Sequence, residues 1–260
     1  DMGPEAAGEG AGGVRQSRFG REVRRRIVER ADPAVKAGAE RYFKHRIRFL
    51  GLNAPGIREV AREVEPLLKD RPVSALIDEC FRLLHSPWAE EMHVGITLLG
   101  RNVHRFPTDF LQRLEPVFDR TVKDWAACDH IAGRILRPLV SNSGAARRRI
   151  IGWRNARCSW RQRVAAVAFL GEARYGRRNR AILTICRALV QNPDRFVQLG
   201  MGWVLRELFL ADREVVLDFL RQHYPSINRE ALRYAIEKMP KRLQSTILAE
   251  HAAERPGAKG

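Results

Sequence analysis

Residues 128–136 read CDHIAGRIL, and similar small, apolar stretches read HVGITLLGR at 93–101, RVAAVAFLG at 163–171 and LGMGWVLRE at 199–207. Their starts lie 35, 35 and 36 residues apart, and a weaker fifth copy at 232–238 begins 33 residues later. One further helical pattern separates each stretch from the next. A fixed period of this length is typical of helical hairpins that stack only on their neighbours.

The rest of the chain has the same helical periodicity. Apolar residues recur at intervals of three and four, as at Leu76, Cys80, Leu83 and Leu84, and strand-like alternation is essentially absent. We therefore predict an all-α protein, a curved solenoid of HEAT-like helical hairpin repeats with a concave basic face. This domain should span residues 17–252, between disordered tails at 1–16 and 253–260.

Charge indicates the class of partner. The 260 residues include 47 Lys and Arg against 30 Asp and Glu, a formal net charge of +17. Such an excess attracts polyanions, with nucleic acid first and an anionic membrane surface second. A basic solenoid can hold a rod such as duplex DNA. No apolar run approaches 18 residues, and the start lacks a secretory pattern, so we expect the protein in the cytoplasm. We also expect it to be nucleoid-associated and monomeric.

Several kinds of site are disfavoured by the sequence. Cys80, Cys128, Cys158 and Cys186 lie 48, 30 and 28 residues apart, which fits reduced thiols better than a zinc site. The metalloprotease, esterase and nucleotide-binding signatures are absent, and GEGAGG at 8–13 follows no strand. The adjacent Glu90 and Glu91 are predicted to be surface charges. We expect no metal and no cofactor.

Three repeat helices each place a tryptophan and a charged residue on one side. The pairs, three or four residues apart, are Trp125 with Asp129, Trp160 with Arg163, and Trp203 with Arg206. A single tryptophan at helical spacing is usually a core residue. Their recurrence on successive repeats favours a functional face. Gly200 and Gly202 are expected to leave room beside Trp203 for another group.

These residues resemble a known family. GWVLRE around Trp203, the Trp125-x-x-x-Asp129 pair, the Arg163 helix and RYFKHRIRFLGLNAPGIRE at 41–59 are similar to the AlkD family of DNA glycosylases, which are HEAT-like-repeat DNA alkylation repair proteins. The resemblance covers about residues 19–252. Four motifs in the same order and spacing make it specific.

The resemblance implies a monofunctional glycosylase that removes cationic alkylated purines, such as N3-alkyladenine and N7-alkylguanine, from duplex DNA. Enzymes of this family are understood to act while the lesion stays largely in the base stack. The resemblance leaves open whether the alkyl group is a methyl group or a bulky adduct. The residue roles it implies are a catalytic carboxylate at Asp129, packing against the lesion sugar by Trp125 and Trp203, phosphate contacts by Arg163 and Arg206, and a DNA contact by Tyr42.

The chemistry of these residues is consistent with that activity. A cationic purine departs without a general acid, so one carboxylate can stabilise the sugar oxocarbenium ion and orient the water. Some relatives carry a second aromatic residue where this chain has Asp124, which we predict to cap a helix. His130 lies about 100° around the helix from Asp129 and is expected to be structural. Trp88, Trp153 and Trp160 match no motif position.

Other function classes remain open. The main alternative is a non-catalytic HEAT-like solenoid that binds damaged or distorted DNA, but a pure binder gains nothing from an acid that faces phosphates. A protein-binding scaffold should be less basic, and a base-by-base RNA reader should show regular polar triplets. From its expected phosphate contact, Arg163→Ala should weaken DNA binding and reduce the salt slope by about one phosphate.

Overall fold

The computed structural model describes residues 17–44 and 46–254. In this part of the chain the only β-structure is an isolated bridge between Arg48 and Trp88. The α-helices are α1 (Arg18–Val28), α2 (Pro33–Tyr42), α3 (Ala54–Val64), α4 (Val73–Leu84), α5 (Ala89–Arg101), α6 (Phe110–Thr121), α7 (Trp125–Ile131), α8 (Arg137–Asn142), α9 (Gly144–Gly152), α10 (Ser159–Val167), α11 (Leu170–Arg174), α12 (Asn179–Leu189), α13 (Arg195–Phe209), α14 (Arg213–His223), α15 (Arg229–Ala235) and α16 (Lys241–Ala253). The all-α prediction is confirmed.

Short non-α turns complete the helical structure. The 3₁₀ turns are Glu65–Leu68, Val103–Arg105 and Trp153–Asn155. A π-helical segment, Ala132–Leu136, joins α7 directly to α8. Helix α7, the π-helical segment and α8 therefore form one continuous helix from Trp125 to Asn142. A π turn holds more residues than an α turn, so it changes which side chains share a face.

The predicted repeats form a continuous stack of helices. The five repeat stretches fall on α5, on α7 with the π segment, on α10 and α11, on α13 and on α15. Each packs against the next, and α3 extends the stack before α5; we call these helices the inner stack. The helices between them, including α4, α12 and α14, pack against the inner stack as a second layer, the outer helices. The repeat prediction is therefore confirmed.

Glycine permits the closest contacts of the inner stack. A Cβ at Gly100 would lie 2.8 Å from the Cβ of Arg134, and one at Gly202 would lie 2.7 Å from the carbonyl oxygen of Ala231. The space beside Gly202 is thus filled by α15, and that beside Gly200 by the side chain of Arg163. The two glycines therefore leave room for another group, as expected, and that group belongs to the neighbouring repeats.

Ion pairs follow the repeat period. Five arginine–carboxylate pairs join residues 34 to 36 positions apart: Arg101 with Glu65, Arg113 with Asp78, Arg149 with Glu115, Arg163 with Asp129, and Arg195 with Glu230. Their N–O distances are 2.5 to 2.8 Å. Each pair links one hairpin to its neighbour, so these five acidic residues are held by contacts between repeats.

The predictions for the cysteines and for the boundaries of the domain are taken separately. All four cysteines are free thiols, and Cys80, Cys128 and Cys186 are buried while Cys158 is partly exposed. Helix α16 includes Ala253, one residue beyond the predicted domain end. The predicted tails at 1–16 and, beyond Glu254, at 255–260 lie outside the described residues. Within the described part, no helix has the length and apolarity needed to cross a bilayer.

Candidate functional site

A cleft of about 1220 Å³ opens beside the inner stack. One wall comes from residues within 35–44 and 46–58, which include the end of α2, part of the following loop and the start of α3. The opposite wall includes the first residues of α5, α7, α10 and α13. Six exposed cations that line the cleft form no salt bridge with another described residue: Lys44, Arg46, Arg48, Arg58, Lys123 and Arg134. The cleft is therefore both large and cationic.

Aromatic side chains line the same cleft. The indole of Trp125 stacks on Phe43, with 5.6 Å between ring centroids and 28° between ring planes. Tyr42 contacts Trp125 edge-on at 6.3 Å, and 69% of its surface is exposed. The sequence assigned roles to Tyr42 and Trp125, but it did not single out Phe43. Its position beside Tyr42 in the 41–59 segment was the available signal.

Helix α7 presents Trp125 and Asp129 together. Asp124 caps the helix, because its carboxylate accepts a 2.9 Å hydrogen bond from the Ala127 backbone N–H. The predicted cap is confirmed. Trp125 occupies the first helical position, and Asp129 follows one turn later on nearly the same side. The Asp129 side chain keeps 18% of its surface exposed.

A buried arginine holds the Asp129 carboxylate. Arg163 donates from Nε to Asp129 Oδ1 at 3.0 Å and from Nη2 to Oδ2 at 2.8 Å. Its Nη1 donates to the carbonyl oxygen of Phe196 at 2.7 Å. Three of the five guanidinium N–H groups are thus engaged within the protein, and the side chain is only 7% exposed. The phosphate contact expected of Arg163 stays a prediction, whereas its two hydrogen bonds to Asp129 are observed.

The surroundings favour the charged form of Arg163. Burial lowers its pKa, but the hydrogen bonds and charge of Asp129 outweigh that effect and leave the pKa above its ordinary value. Gly200 of α13 makes the arrangement possible, because a Cβ there would lie 3.0 Å from Arg163 Cγ. Three successive inner helices, α7, α10 and α13, therefore build this pair together.

Of the six predicted site residues, Tyr42 and Trp125 line the cleft, whereas Asp129 and Arg163 are not among its lining residues. The other two, Trp203 and Arg206, lie on α13, also outside the cleft walls. Trp203 is half-buried against the core. Arg206 pairs with Glu237 and, at 3.3 Å, with Glu207, and its guanidinium lies 4.6 Å from the ring centroid of Tyr234. The structure thus joins Asp129 to Arg163 and brings Tyr42 to Trp125, whereas it gives Arg206 partners within the protein.

A histidine pair also lines the cleft, and the sequence analysis missed it. The rings of His93 and His130 stack with centroids 4.8 Å apart and Nδ1 atoms 2.6 Å apart. Burial and the nearby His93 and Arg134 lower the pKa of His130 to about 3. Burial also lowers the pKa of His93, against the opposing charges of Asp124 and Glu90. Their separation of 37 residues, close to the repeat period, was the signal that could have revealed the pair.

Glu90 and Glu91 are both 1% exposed, so the prediction of surface charges was wrong. Glu90 accepts backbone hydrogen bonds from Leu50, Gly51 and Leu52 at 2.8 to 3.2 Å. Glu91 pairs with Arg24 and accepts from Ser86. Adjacent carboxylates point to different sides of α5, and here both sides face protein. Glu90 thereby fixes the loop that forms one wall of the cleft.

The remaining tryptophans have structural contacts. Trp160 packs on Phe196 of the next repeat with ring centroids 5.2 Å apart, and Trp153 is buried and donates to Glu115 at 2.6 Å. Trp88 lines the cleft at the start of α5. Among the described residues, no cluster of three or more His, Cys, Asp or Glu is arranged to hold a metal ion.

Comparison with known proteins assigns the family. A protein of Enterococcus faecalis, described as a predicted DNA alkylation repair enzyme, has the same fold, with a TM-score of 0.73 over 81% of this chain and 97% of that one, at 19% identity. No curated protein matches by sequence. A family model described as DNA alkylation repair enzyme matches residues 23–239. The chain therefore belongs to the DNA alkylation repair enzyme family.

Proposed function

We propose that the protein is a monofunctional DNA glycosylase that hydrolyses the N-glycosidic bond of cationic alkylated purines in duplex DNA. The observation that carries this proposal is the Asp129 carboxylate, gripped by buried Arg163 yet partly open to solvent. It lies one helical turn from an indole that lines a large cationic cleft. Family membership supports a role in alkylation repair.

The proposed reaction needs one carboxylate. In an N3- or N7-alkylated purine, the bond from the sugar C1′ to the base nitrogen breaks, and its electron pair neutralises the base, which leaves without protonation. The sugar becomes an oxocarbenium ion, and the negative charge of Asp129 stabilises it. Water then adds to C1′, and Asp129 accepts its proton. The products are a free base and an abasic site.

Arg163 serves this reaction by orienting Asp129. Two parallel hydrogen bonds fix both carboxylate oxygens, which leaves few rotamers open to the side chain. The positive charge of Arg163 also offsets part of the repulsion between the Asp129 carboxylate and DNA phosphates. The main contribution proposed for Asp129 is electrostatic stabilisation of the sugar cation.

The cleft supplies the affinity for duplex DNA. Its exposed cations attract phosphates, and Trp125 and Tyr42 offer aromatic surface to the sugar and backbone. Contacts of Trp203 with the lesion sugar and of Arg206 with a phosphate remain part of the proposal; the latter requires Arg206 to exchange an internal partner for DNA. We further propose that the protein acts as a monomer in the cytoplasm with the lesion largely stacked.

The decisive experiment compares Asp129→Asn with the parent protein on duplexes that carry N7-methylguanine or a bulkier N7-alkylguanine. Free base is detected by chromatography, and DNA binding is measured in parallel. The variant should release no base while it retains or improves DNA affinity, since a charge facing phosphates is removed. Normal turnover by Asp129→Asn would refute the assignment of the catalytic carboxylate.

A matched control separates catalysis from folding. Asp78→Asn removes an acid that pairs with Arg113 across two repeats at 2.7 Å, away from the cleft walls. It should turn over as the parent does, with a comparable thermal unfolding midpoint. If the parent binds alkylated duplexes but releases no base from either, the alternative of a non-catalytic damage-binding solenoid is favoured.

A further inference from the structure

Arg137, at the start of α8, is a partly buried arginine without a partner among the described residues. Its Nε is inaccessible to solvent and forms no hydrogen bond. Burial and the nearby Arg174 lower the pKa of Arg137, against the opposing charges of Asp129 and Glu207. The terminal Nη groups of Arg137 also form no hydrogen bond with a described residue, and they are not among the inaccessible atoms, so a ligand can reach them. That combination points to a ligand-binding group.

The π-helical segment aligns Arg137 with the proposed catalytic acid. In an ordinary α-helix, roughly seven residues complete two turns. The segment Ala132–Leu136 lies between Asp129 and Arg137 and adds about one residue to that count. A separation of eight residues therefore returns to nearly the same face. Without the π segment, the side chain of Arg137 would be rotated by roughly 80° away from that of Asp129.

Cations outnumber acids around Arg137. Glu207, only 2% exposed, pairs with Arg174 at 3.1 Å and with Lys238 at 2.9 Å, and Arg206 is shared between Glu207 and Glu237. Asp129, the other acid near Arg137, pairs with Arg163 at 2.8 Å. In total, five cations face three carboxylates: the cations are Arg137, Arg163, Arg174, Arg206 and Lys238, and the carboxylates are Asp129, Glu207 and Glu237. Arg174 and Lys238 keep 63% and 38% of their side chains exposed. The excess of positive charge suits a dianionic stretch of nucleic-acid backbone.

We propose that Arg137, supported by Arg174 and Lys238, binds a backbone phosphate of DNA on the face that carries Asp129. This proposal rests on the proposed function. The phosphate accepts hydrogen bonds from the terminal Nη groups of Arg137, for which the planar guanidinium is suited. Because Arg137 and Asp129 share one continuous helix, the bound phosphate sets the register of the strand relative to the carboxylate.

The test uses Arg137→Met, which keeps side-chain length and removes the charge. Binding of an undamaged fluorescent duplex is measured by anisotropy at several salt concentrations. We expect affinity to fall about tenfold at low salt, and the slope of log K against log salt to become shallower by about 0.9. The thermal unfolding midpoint should stay the same or rise, because an unpaired buried nitrogen is removed.

The matched control is Arg187→Met on α12, where an exposed arginine without a described partner loses the same charge. It should leave the salt slope nearly unchanged. The phosphate site would be overturned if Arg137→Met had the same slope of log K against log salt as the parent. It would also be overturned if Arg137→Met and Arg187→Met lost the same DNA affinity. A lower unfolding midpoint with intact DNA affinity would show that Arg137 is structural.

The same data separate this inference from the proposed function. A parent protein that binds no duplex would overturn both. A parent that binds but releases no alkylated base would overturn the glycosylase alone, and the salt slopes of the two variants would still decide the phosphate site. Arg137→Lys provides the final check, since a retained charge should restore the slope while the loss of the planar fork leaves part of the affinity defect.

Discussion

The Asp129 carboxylate has to meet two opposing requirements, and its pairing with Arg163 shows how both can be met. A carboxylate that stabilises a sugar cation must be charged and close to the strand, yet the same charge is repelled by phosphates. A buried, bidentate arginine reduces the net charge of the pair while it leaves the carboxylate edge accessible. Such a pair contributes geometry more than stability, because the desolvation of both ions offsets much of their attraction.

Arg163→Lys tests that positional role. Lysine keeps the positive charge but loses the two parallel hydrogen bonds. We expect the rate of base release to fall about 100-fold, since small displacements of a reacting group have effects of this size. Duplex affinity and its salt slope should stay near those of the parent, as measured by single-turnover kinetics and anisotropy. Weaker binding with unchanged turnover would instead favour the phosphate contact that the sequence predicted.

The His93–His130 pair makes stability depend on pH. The pKa of His130 in the folded protein is about 3, below its ordinary value of 6.5, so it stays neutral when the unfolded chain takes up a proton. The free energy of unfolding should therefore decrease as pH falls from 7 towards 5, by up to about 1.4 kcal/mol per pH unit for each such histidine. Urea unfolding at several pH values measures this slope.

A double variant, His93→Gln with His130→Gln, is the control for the histidine pair. Its unfolding free energy should change less between pH 7 and pH 5, because the groups with lowered pKa are absent. Carboxylates titrate mostly below this window and affect both proteins alike. Identical slopes in the parent and the double variant would show that another group carries the pH dependence.

At the scale of the helices, local patterns were readable and tertiary partners were not. The repeat period located α5, α7, α10, α13 and α15, because apolar spacing reports which face a helix buries. The pairing of Asp129 with Arg163 and the burial of Glu90 depend on contacts 34 and about 40 residues away. No local spacing identifies which of many acids and arginines will meet. Asp124 was predictable as a cap because its partner lies three residues ahead.

Gly200→Ala tests how helix packing positions the site. The added Cβ would lie 3.0 Å from Arg163 Cγ, so the arginine must shift by a few tenths of an ångström. We expect the variant to lose about 1 kcal/mol of unfolding free energy through overpacking, and to release base more slowly with little change in DNA affinity. Gly171→Ala is the matched control, because its Cβ meets no atom within 4 Å and should be neutral or stabilising. Equal rates of base release in Gly200→Ala and Gly171→Ala would show that packing at Gly200 does not position the Asp129–Arg163 pair for the reaction.

At the scale of the whole molecule, repeat packing concentrates the positive charge. Five acids pair with arginines about one repeat away, whereas six exposed cations around the cleft form no salt bridge with a described residue. The first turns of four inner helices also line the cleft and add the positive ends of their dipoles. Composition reported the net charge of +17 but not this distribution, which depends on which acids the fold pairs between repeats.

The uneven distribution predicts that the position of an arginine matters more than its count. A triple variant, Arg46→Ala, Arg48→Ala and Arg58→Ala, removes three cleft cations, and a control, Arg120→Ala, Arg187→Ala and Arg213→Ala, removes three exposed arginines of the outer helices. Both change the net charge by the same amount. The cleft variant should make the slope of log K against log salt shallower by about 2.7, near 0.9 per lost phosphate contact. The control should change it by much less. Equal slopes would mean that DNA responds to the total charge of the protein, and that the cleft is not the surface on which the duplex lies.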